Sequence, residues 1–466
     1  MLETTEYVVA GGINFIGQVS RRLKEIKDEL NLEIPVESLK YCMSKVMSKI
    51  LISYGQQLSK KNKTIKDKKS YNKGALREIN KVYDTPLIPD NFELFIDSGG
   101  YQISVGYLEK QEIFKFIDMY LDFIVENQDK YKYAFSLDIP PNEITFDSYD
   151  DILKWNKDSY SRMVDLPNHI KDRIIYVYHF RTPKVNNIWQ QILFESNLAV
   201  DLDIKRWGVG GVVAGLKGED EIPYISYALP LSIITNFTKQ QNKKFLHFHV
   251  LGGSTYRDVL FYEIAKLHIK NIHGIDVKFT FDSSGLFKQF MMGRFLDLLQ
   301  DNLLVHKLSV TSSELDTRNN AFNRKVKDIL YNDVLKEISD YYNLPDISHL
   351  DIYKPNNGPL YKPVELYCCI YLLHFYYILQ TQCNYLAKQY YYLYLNNREE
   401  FDKLIFRLLQ NLNRGKISKR LKSKTVAFSR SLDLLTDCNL DLVNGLIDKY
   451  MSKDEFKKLV RAIPTF

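Results

Sequence analysis

Short apolar runs recur through the first two thirds of the chain, each closed by a polar or glycine-containing turn. They are Tyr7–Gly11, Lys49–Gly55, Leu94–Asp97, Tyr133–Asp138, Ile174–Tyr178, Trp207–Val212, Phe245–Val250 and Lys278–Asp282. Between most of them lie stretches with apolar residues at helical spacing, such as Gln111–Glu126, Tyr149–Val164 and Asp258–Leu267. Eight strands alternating with helices predict parallel βα units, and hence an α/β fold: a (β/α)8 TIM barrel over residues 1–300. From about residue 301 to 466 the pattern turns helical, without clear strands and rich in Tyr and Leu. A helical C-terminal appendage is therefore expected. Within it, Lys354–Pro363 carries three prolines and an Asn-Gly pair, which predicts a loop. The most apolar stretch, Tyr367–Leu379, is interrupted by His374 and is too short to span a bilayer, so it reads as a buried helix.

Composition changes this picture little. At 466 residues the chain exceeds the size at which a single core stops growing, which fits a large domain with a smaller one. Apolar residues at 45% and charged residues at 26% are ordinary for a globular protein and exclude long disordered stretches. Lys and Arg outnumber Asp and Glu by 63 to 57, an excess too small to identify a partner, so local clusters must carry that argument. Five cysteines at irregular spacing (Cys42, Cys368, Cys369, Cys383, Cys438) suit a reducing compartment and oppose a disulfide framework. The acidic start Met1–Glu6 shows neither a secretory signal nor a transit peptide, and a cytoplasmic location is expected. Neither the cysteines nor the nine scattered histidines form a tetrahedral set, so no metal and no organic cofactor is expected.

Candidate chemistry gathers where the strands end. The motifs are Asp97-Ser98-Gly99-Gly100-Tyr101-Gln102, Ser136-Leu137-Asp138-Ile139-Pro140-Pro141, the glycine run from Trp207 to Gly215, and Phe279-Thr280-Phe281-Asp282-Ser283-Ser284-Gly285. In a barrel, catalytic residues occupy the C-terminal ends of strands. Taken singly, each motif has a plainer explanation: an Asp cap on a turn, a tight loop, or a helix cap. The glycine run also lacks the spacing of a dinucleotide site. Asp97 and Asp282 are far apart in sequence, yet barrel closure brings their strands near one another. Two carboxylates flanking a glycosidic carbon can divide the work of nucleophile and acid/base. A nearby anion stabilises and then traps the oxocarbenium character that C1′ develops as a base departs. Asp138 can accept two hydrogen bonds from the N1–H and N2–H2 edge of guanine or a 7-deazaguanine. Gln102 offers a donor and an acceptor, the N–H of Gly211 or Val212 can meet the base O6, and Tyr101 and Tyr178 are candidates to stack on it.

In this order, with His249-Val250-Leu251-Gly252-Gly253 as a fifth element, the motifs resemble the base-exchanging tRNA-guanine transglycosylase superfamily. The resemblance implies that Asp282 forms a covalent glycosyl-enzyme link, that Asp97 handles protons and that Gln102 lies in the base pocket. The chain also departs from the tRNA enzymes. It lacks their C-x-C-x-x-C zinc run, and it carries Ser283-Ser284-Gly285-Leu286 where they have a Cys followed by Pro-Thr-Arg. Tyr178-His179-Phe180-Arg181 replaces their Gln-Gly-Gly segment, which leaves His179 either as a substitute in the base pocket or as a core histidine. Such departures look like the DpdA-type DNA transglycosylases of bacteria and phages. The expected activity is exchange of guanine in DNA for a free 7-deazaguanine base such as preQ0. Exchange in tRNA, base excision without replacement and a non-catalytic nucleic-acid-binding subunit are the alternatives. Abundant Lys, Asn, Tyr and Ile point to an AT-rich genome such as a phage's. Two basic runs are candidates for phosphate contact, with a solvated surface as the other reading. One holds Lys66, Lys68 and Lys69; the other holds Arg414, Lys416, Lys419, Arg420 and Lys422. The cluster Tyr390–Tyr394 reads as helix packing or as a stacking platform.

Overall fold

Eight parallel strands close on themselves: β1 (Glu6–Ala10), β2 (Lys49–Ser53), β3 (Glu93–Asp97), β4 (Tyr133–Phe135), β5 (Ile174–His179), β6 (Arg206–Gly210), β7 (Phe245–Leu251) and β8 (Asp276–Asp282). Each pairs with the next, and β8 returns to β1 with Tyr7 opposite Phe281 and Val8 opposite Asp282. The fold is thus the expected α/β barrel with a helical C-terminal region. This computed structural model describes residues 5–10, 23–24, 27–28, 35–46, 48–58, 63–65, 67–85, 88–140, 148–180, 183–210, 223–253, 256–282, 294–299, 304–309, 335–350, 362–412 and 419–437.

Strand alternation sorts the side chains into two cores. Val8, Phe95, Phe135, Ile175 and Val177 form a small cluster inside the barrel. Their chain neighbours, among them Val9, Leu94, Ile96, Tyr176 and Tyr178, join the large cluster between sheet and helices. At the N-terminal end of the barrel, Lys49 pairs with Glu6 (2.9 Å) and Glu93 (3.4 Å), and Lys278 with Glu6 (3.0 Å).

The outer layer comprises α1 (Val36–Val46), α2 (Lys68–Tyr83), α3 (Gly100–Ser104), α4 (Ile113–Glu126), α5 (Tyr149–Met163), α6 (Pro183–Gln190), α7 (Pro223–Gln240) and α8 (Tyr256–His273). In α4 the buried positions Ile113, Phe116, Ile117, Tyr120 and Ile124 keep the three-and-four spacing of one apolar face. Ser148 starts α5 by accepting a hydrogen bond from the Asp151 N–H (3.1 Å). The helix α8 differs, being buried around most of its circumference at Val259, Leu260, Phe261, Tyr262, Ile264, Ala265 and Ile269. A helix apolar on all sides needs a second layer, and the C-terminal region supplies it.

That region contains α9 (Lys336–Tyr342), α10 (Lys362–Asn396), α11 (Arg398–Leu412) and α12 (Lys419–Asp437). Both α10 and α12 pack on α8, and α12 also packs on α7. Phe261 meets Phe428 edge-on at 5.4 Å, His268 bonds Thr436 (2.8 Å), and Ser232 Oγ donates to the Leu434 carbonyl (3.1 Å). Glu263 and Lys266 form a fully buried pair at 2.5 Å within α8. Glu263 also accepts from the Thr5 N–H ahead of β1 and from Asn384 Nδ2 of α10 (2.9 Å). One carboxylate therefore ties the start of the described chain and the long C-terminal helix α10 to the same barrel helix.

Two expectations need correction. Strands do occur beyond the barrel, as the antiparallel hairpin β9 (Arg294–Leu299) and β10 (Leu304–Ser309), so a division at 300/301 falls between its two strands. Leu304 and Leu308 satisfy helical spacing as well as a strand, and only backbone pairing decides between them. The expected loop ends earlier than Pro363, because α10 begins at Lys362 and takes that proline into its first turn. The lysine-rich connection after β2 holds α2, whose buried face is only Ala75, Ile79 and Val82. Among the described residues no helix is long and apolar enough to cross a membrane.

Replacing Glu263 removes a buried carboxylate from beside the Lys266 ammonium and from the Thr5 N–H and Asn384 amide that donate to it. Glu263→Ala is expected to lower the unfolding free energy by about 3–5 kcal/mol, read as a shift of the urea midpoint. A loss below about 1 kcal/mol would show that the pair contributes no more than a surface ion pair.

Candidate active site at the barrel mouth

Alternation along each strand decides which terminal side chain looks into the barrel. Asp97 shares the parity of Phe95, His179 that of Ile175 and Val177, and Asp282 that of Thr280, so all three turn inward at the C-terminal ends. The same rule removes Tyr178 from the mouth. Its ring is fully buried under the helices and its hydroxyl donates to Asn186 Oδ1 (2.5 Å), so it is not a stacking residue.

Asp138 lies three residues beyond β4, where no strand pairing holds it. Side chains of α5 do so instead: the Ile139 N–H donates to Asn156 Oδ1 (2.7 Å), Asn156 Nδ2 returns a bond to the Ile139 carbonyl (3.1 Å), and Ser159 Oγ donates to the Leu137 carbonyl (2.8 Å). The turn after β3 presses on this segment. Gly99 is left-handed (φ 92°), and a Cβ on Gly100 would stand 1.5 Å from the Asp138 carbonyl oxygen. Asp-Ser-Gly-Gly is thus a packing requirement as well as a strand end, because any side chain at position 100 displaces the Asp138 backbone.

The carboxylates occupy different environments. Asp138 is buried and hydrogen-bonded to His179 Nε2, and the His179 ring packs edge-on against Trp189 at 4.8 Å. His179 therefore combines both of its expected readings, being a buried residue with its polar edge on Asp138. A Cβ on Gly210 would lie 2.6 Å from the His179 ring, so this glycine makes room for that histidine. Asp282 Oδ1 accepts from the Gly252 N–H (3.0 Å) and lies 3.3 Å from His249 Nε2. Burial lifts Asp97 to about 6, with the negative charges of Asp138 and Asp282 adding to the rise while Ser53 and the Gly99 N–H oppose it. Asp97 thus senses both other carboxylates, and all three stand at the C-terminal end of the barrel.

Polar groups around them lack protein partners. Gln102 Oε1 and Ser98 Oγ are each buried without a hydrogen bond, an arrangement suited to a polar ligand. Tyr101, on α3 beside them, is 68% exposed and free to cover such a ligand. Gly211 and Val212 lie outside the described residues. His249 and Thr280 stand in the sequence motifs without a role of their own and Asn156 stands in none, although the period-two spacing of His247 and His249 in β7 marks both as facing the same way.

The basic residues are placed less uniformly. Lys68 is engaged by Asp122, whereas Lys69 is exposed at the start of α2. Lys419, Arg420 and Lys422 fall in the first turn of α12, and Lys66, Arg414 and Lys416 lie outside the described residues. In the tyrosine cluster, Tyr391 and Tyr394 pack on His268 at 5.7 and 5.4 Å, which is the packing reading; Tyr392 alone among them is 66% exposed. Among the described residues no three His, Cys, Asp or Glu side chains form a metal-holding group.

Because the folded-state pKa of Asp97 lies above its ordinary 3.8, ionising it opposes folding. That penalty is absent below pH 3.8, grows up to about 6 and is constant above. Asp97→Asn is expected to stabilise the protein by about 1–3 kcal/mol at about pH 7.5 and by far less at about pH 4, as read by chemical denaturation. Equal effects at both pH values would reject a raised pKa. Comparison with protein-family models, curated proteins and solved structures returns no match for this chain.

Proposed function

We propose that this barrel is a transglycosylase that exchanges guanine in DNA for a free 7-deazaguanine base such as preQ0. The observation that carries the reading is the convergence of three carboxylates on one mouth, with Asp97 held near 6 by burial and by the other two. Each then has a distinct task. A carboxylate oxygen of Asp282 bonds C1′ as the C1′–N9 bond breaks, and the electron pair leaves with the guanine. Protonated Asp97 supplies the proton that neutralises the departing base. Ionised Asp97 next takes the N–H proton of the incoming base, whose nitrogen bonds C1′ and releases Asp282 as a carboxylate. A group with a pKa near 6 can perform both transfers close to neutrality.

Recognition follows from the remaining groups. Asp138, fixed through one oxygen by His179, keeps the other for the N1–H and N2–H2 edge of the base. The unpartnered Gln102 amide and the exposed Tyr101 ring supply further polar and stacking contacts. DNA is proposed as the polymer because the chain departs from the tRNA enzymes in its zinc run, in the segment after Asp282 and at His179.

The test offers purified protein guanine-containing DNA, and separately unmodified tRNA, together with preQ0, followed by digestion to nucleosides and mass spectrometry. A deazaguanine deoxynucleoside from DNA alone is the expected result. Product from tRNA alone would transfer the activity to that polymer, abasic sites formed without free base would make the enzyme a glycosylase, and no product from either would reject exchange. Asp282→Asn is expected to lower exchange about a thousandfold or more, and Asp97→Asn about 10²- to 10⁴-fold. With wild type, kcat/KM for the nucleic acid is expected to fall as pH rises through about 6, as the Asp97 proton is lost. A flat profile there would remove Asp97 from the acid role.

A further inference from the structure

Two histidines inside the barrel have no part in the chemistry above. His247 and His249 are two residues apart in β7, and Thr280 of the neighbouring β8 is directly opposite His249. Thr280 Oγ1 lies 2.8 Å from His247 Nε2 and 2.9 Å from His249 Nδ1. The remaining ring nitrogen of His249, Nε2, faces Asp282 Oδ1 at 3.3 Å. All three of these side chains are buried to 1% exposure or less. Phe135 stands edge-on to the His249 ring at 4.7 Å, Phe95 lies 6.1 Å away, and Tyr133 is edge-on to His247 at 5.5 Å, so both rings are clamped.

Counting protons fixes the direction of this chain. His247 is kept neutral by burial, with the positive charges of Lys278, Arg206 and Lys49 adding to the effect, and therefore carries one N–H. Its Nδ1 meets no partner, whereas its Nε2 faces the Thr280 oxygen, so the proton belongs on Nε2. The Thr280 hydroxyl, accepting there, turns its single proton to His249 Nδ1. With Nδ1 accepting, the ring proton of His249 lies on Nε2, directed at the carboxylate.

We infer that His249 is a positioning residue for the nucleophile: through the chain His247, Thr280, His249 it donates from Nε2 to Asp282 Oδ1, and leaves Oδ2 as the attacking atom. The Gly252 N–H, at 3.0 Å from the same Oδ1, reinforces the assignment. In the exchange reaction, on which the kinetic half of this inference rests, an Oδ2 lone pair forms the C1′–O bond while the C1′–N9 pair departs with the base. Oδ1 becomes the ester carbonyl oxygen. When the incoming nitrogen displaces Asp282, the pair returns to the carboxylate and the two donors on Oδ1 stabilise it, easing release.

Two measurements test this. Long-range ¹H–¹⁵N spectra of the histidine rings at neutral pH are expected to show His249 and His247 neutral and protonated on Nε2. A proton on Nδ1 of His249 would overturn the inference. In the exchange assay, His249→Gln retains a donor near Nε2 and is expected to keep turnover within about threefold, whereas His249→Leu loses about 10- to 100-fold in kcat with KM for the nucleic acid unchanged. Melting temperatures of both variants separate this effect from unfolding. Full turnover by His249→Leu, or a loss confined to KM, would overturn the inference. The expected ring spectra from a wild-type protein that exchanges no base would sink the proposed function while leaving the positioning of Asp282 intact.

Discussion

The pairing of β8 with β1 is the constraint on which the mouth depends. Asp97 and Asp282 are 185 residues apart in the chain, and only closure of the sheet brings β3 and β8 to within three places of each other. Once closed, the period of two along each strand determines what faces inward. Apolar residues of that parity on β1, β3, β4 and β5 share the interior with His247, His249 and Thr280 of β7 and β8, and the last inward residue on β3, β5 and β8 is an ionisable group. The same geometry that excludes water from the middle of the barrel therefore places charge at its rim, where partial burial tunes it.

The barrel was legible because its strands are short apolar runs separated by turn residues, and all eight were readable from that pattern. The strand-end carboxylates were legible for the same reason. What was not legible depended on contacts across the chain. Nothing local to Asp138 announces that Asn156 and Ser159, a helix away, hold its backbone. Tyr178 shows a different kind of error: an inward His179 requires its neighbour to face outward, so the two were never equivalent candidates. The hairpin after the barrel escaped because leucines four apart suit either element, and α2 escaped because lysines surround its three buried residues.

Within the mouth, three carboxylates with two histidines concentrate negative charge in a place where the proposed substrate is itself a polyanion. The phosphate chain must be held apart from that charge, and the base must reach it alone. Tyr101, exposed at the rim, and Lys69, on the surface at the start of α2, are of the kinds suited to stacking and to phosphate contact respectively.

The Glu263 carboxylate has a consequence for how the chain comes to be folded. It accepts from Thr5 ahead of the first strand and from Asn384 in the long C-terminal helix, while balancing a buried lysine on its own helix. During synthesis, residues 1–300 leave the ribosome well before residue 384 does. Until then the side of α8 that α10 and α12 cover has no such cover, and Glu263 lacks the Asn384 amide. The barrel's burial is therefore completed by the part of the chain that is made last.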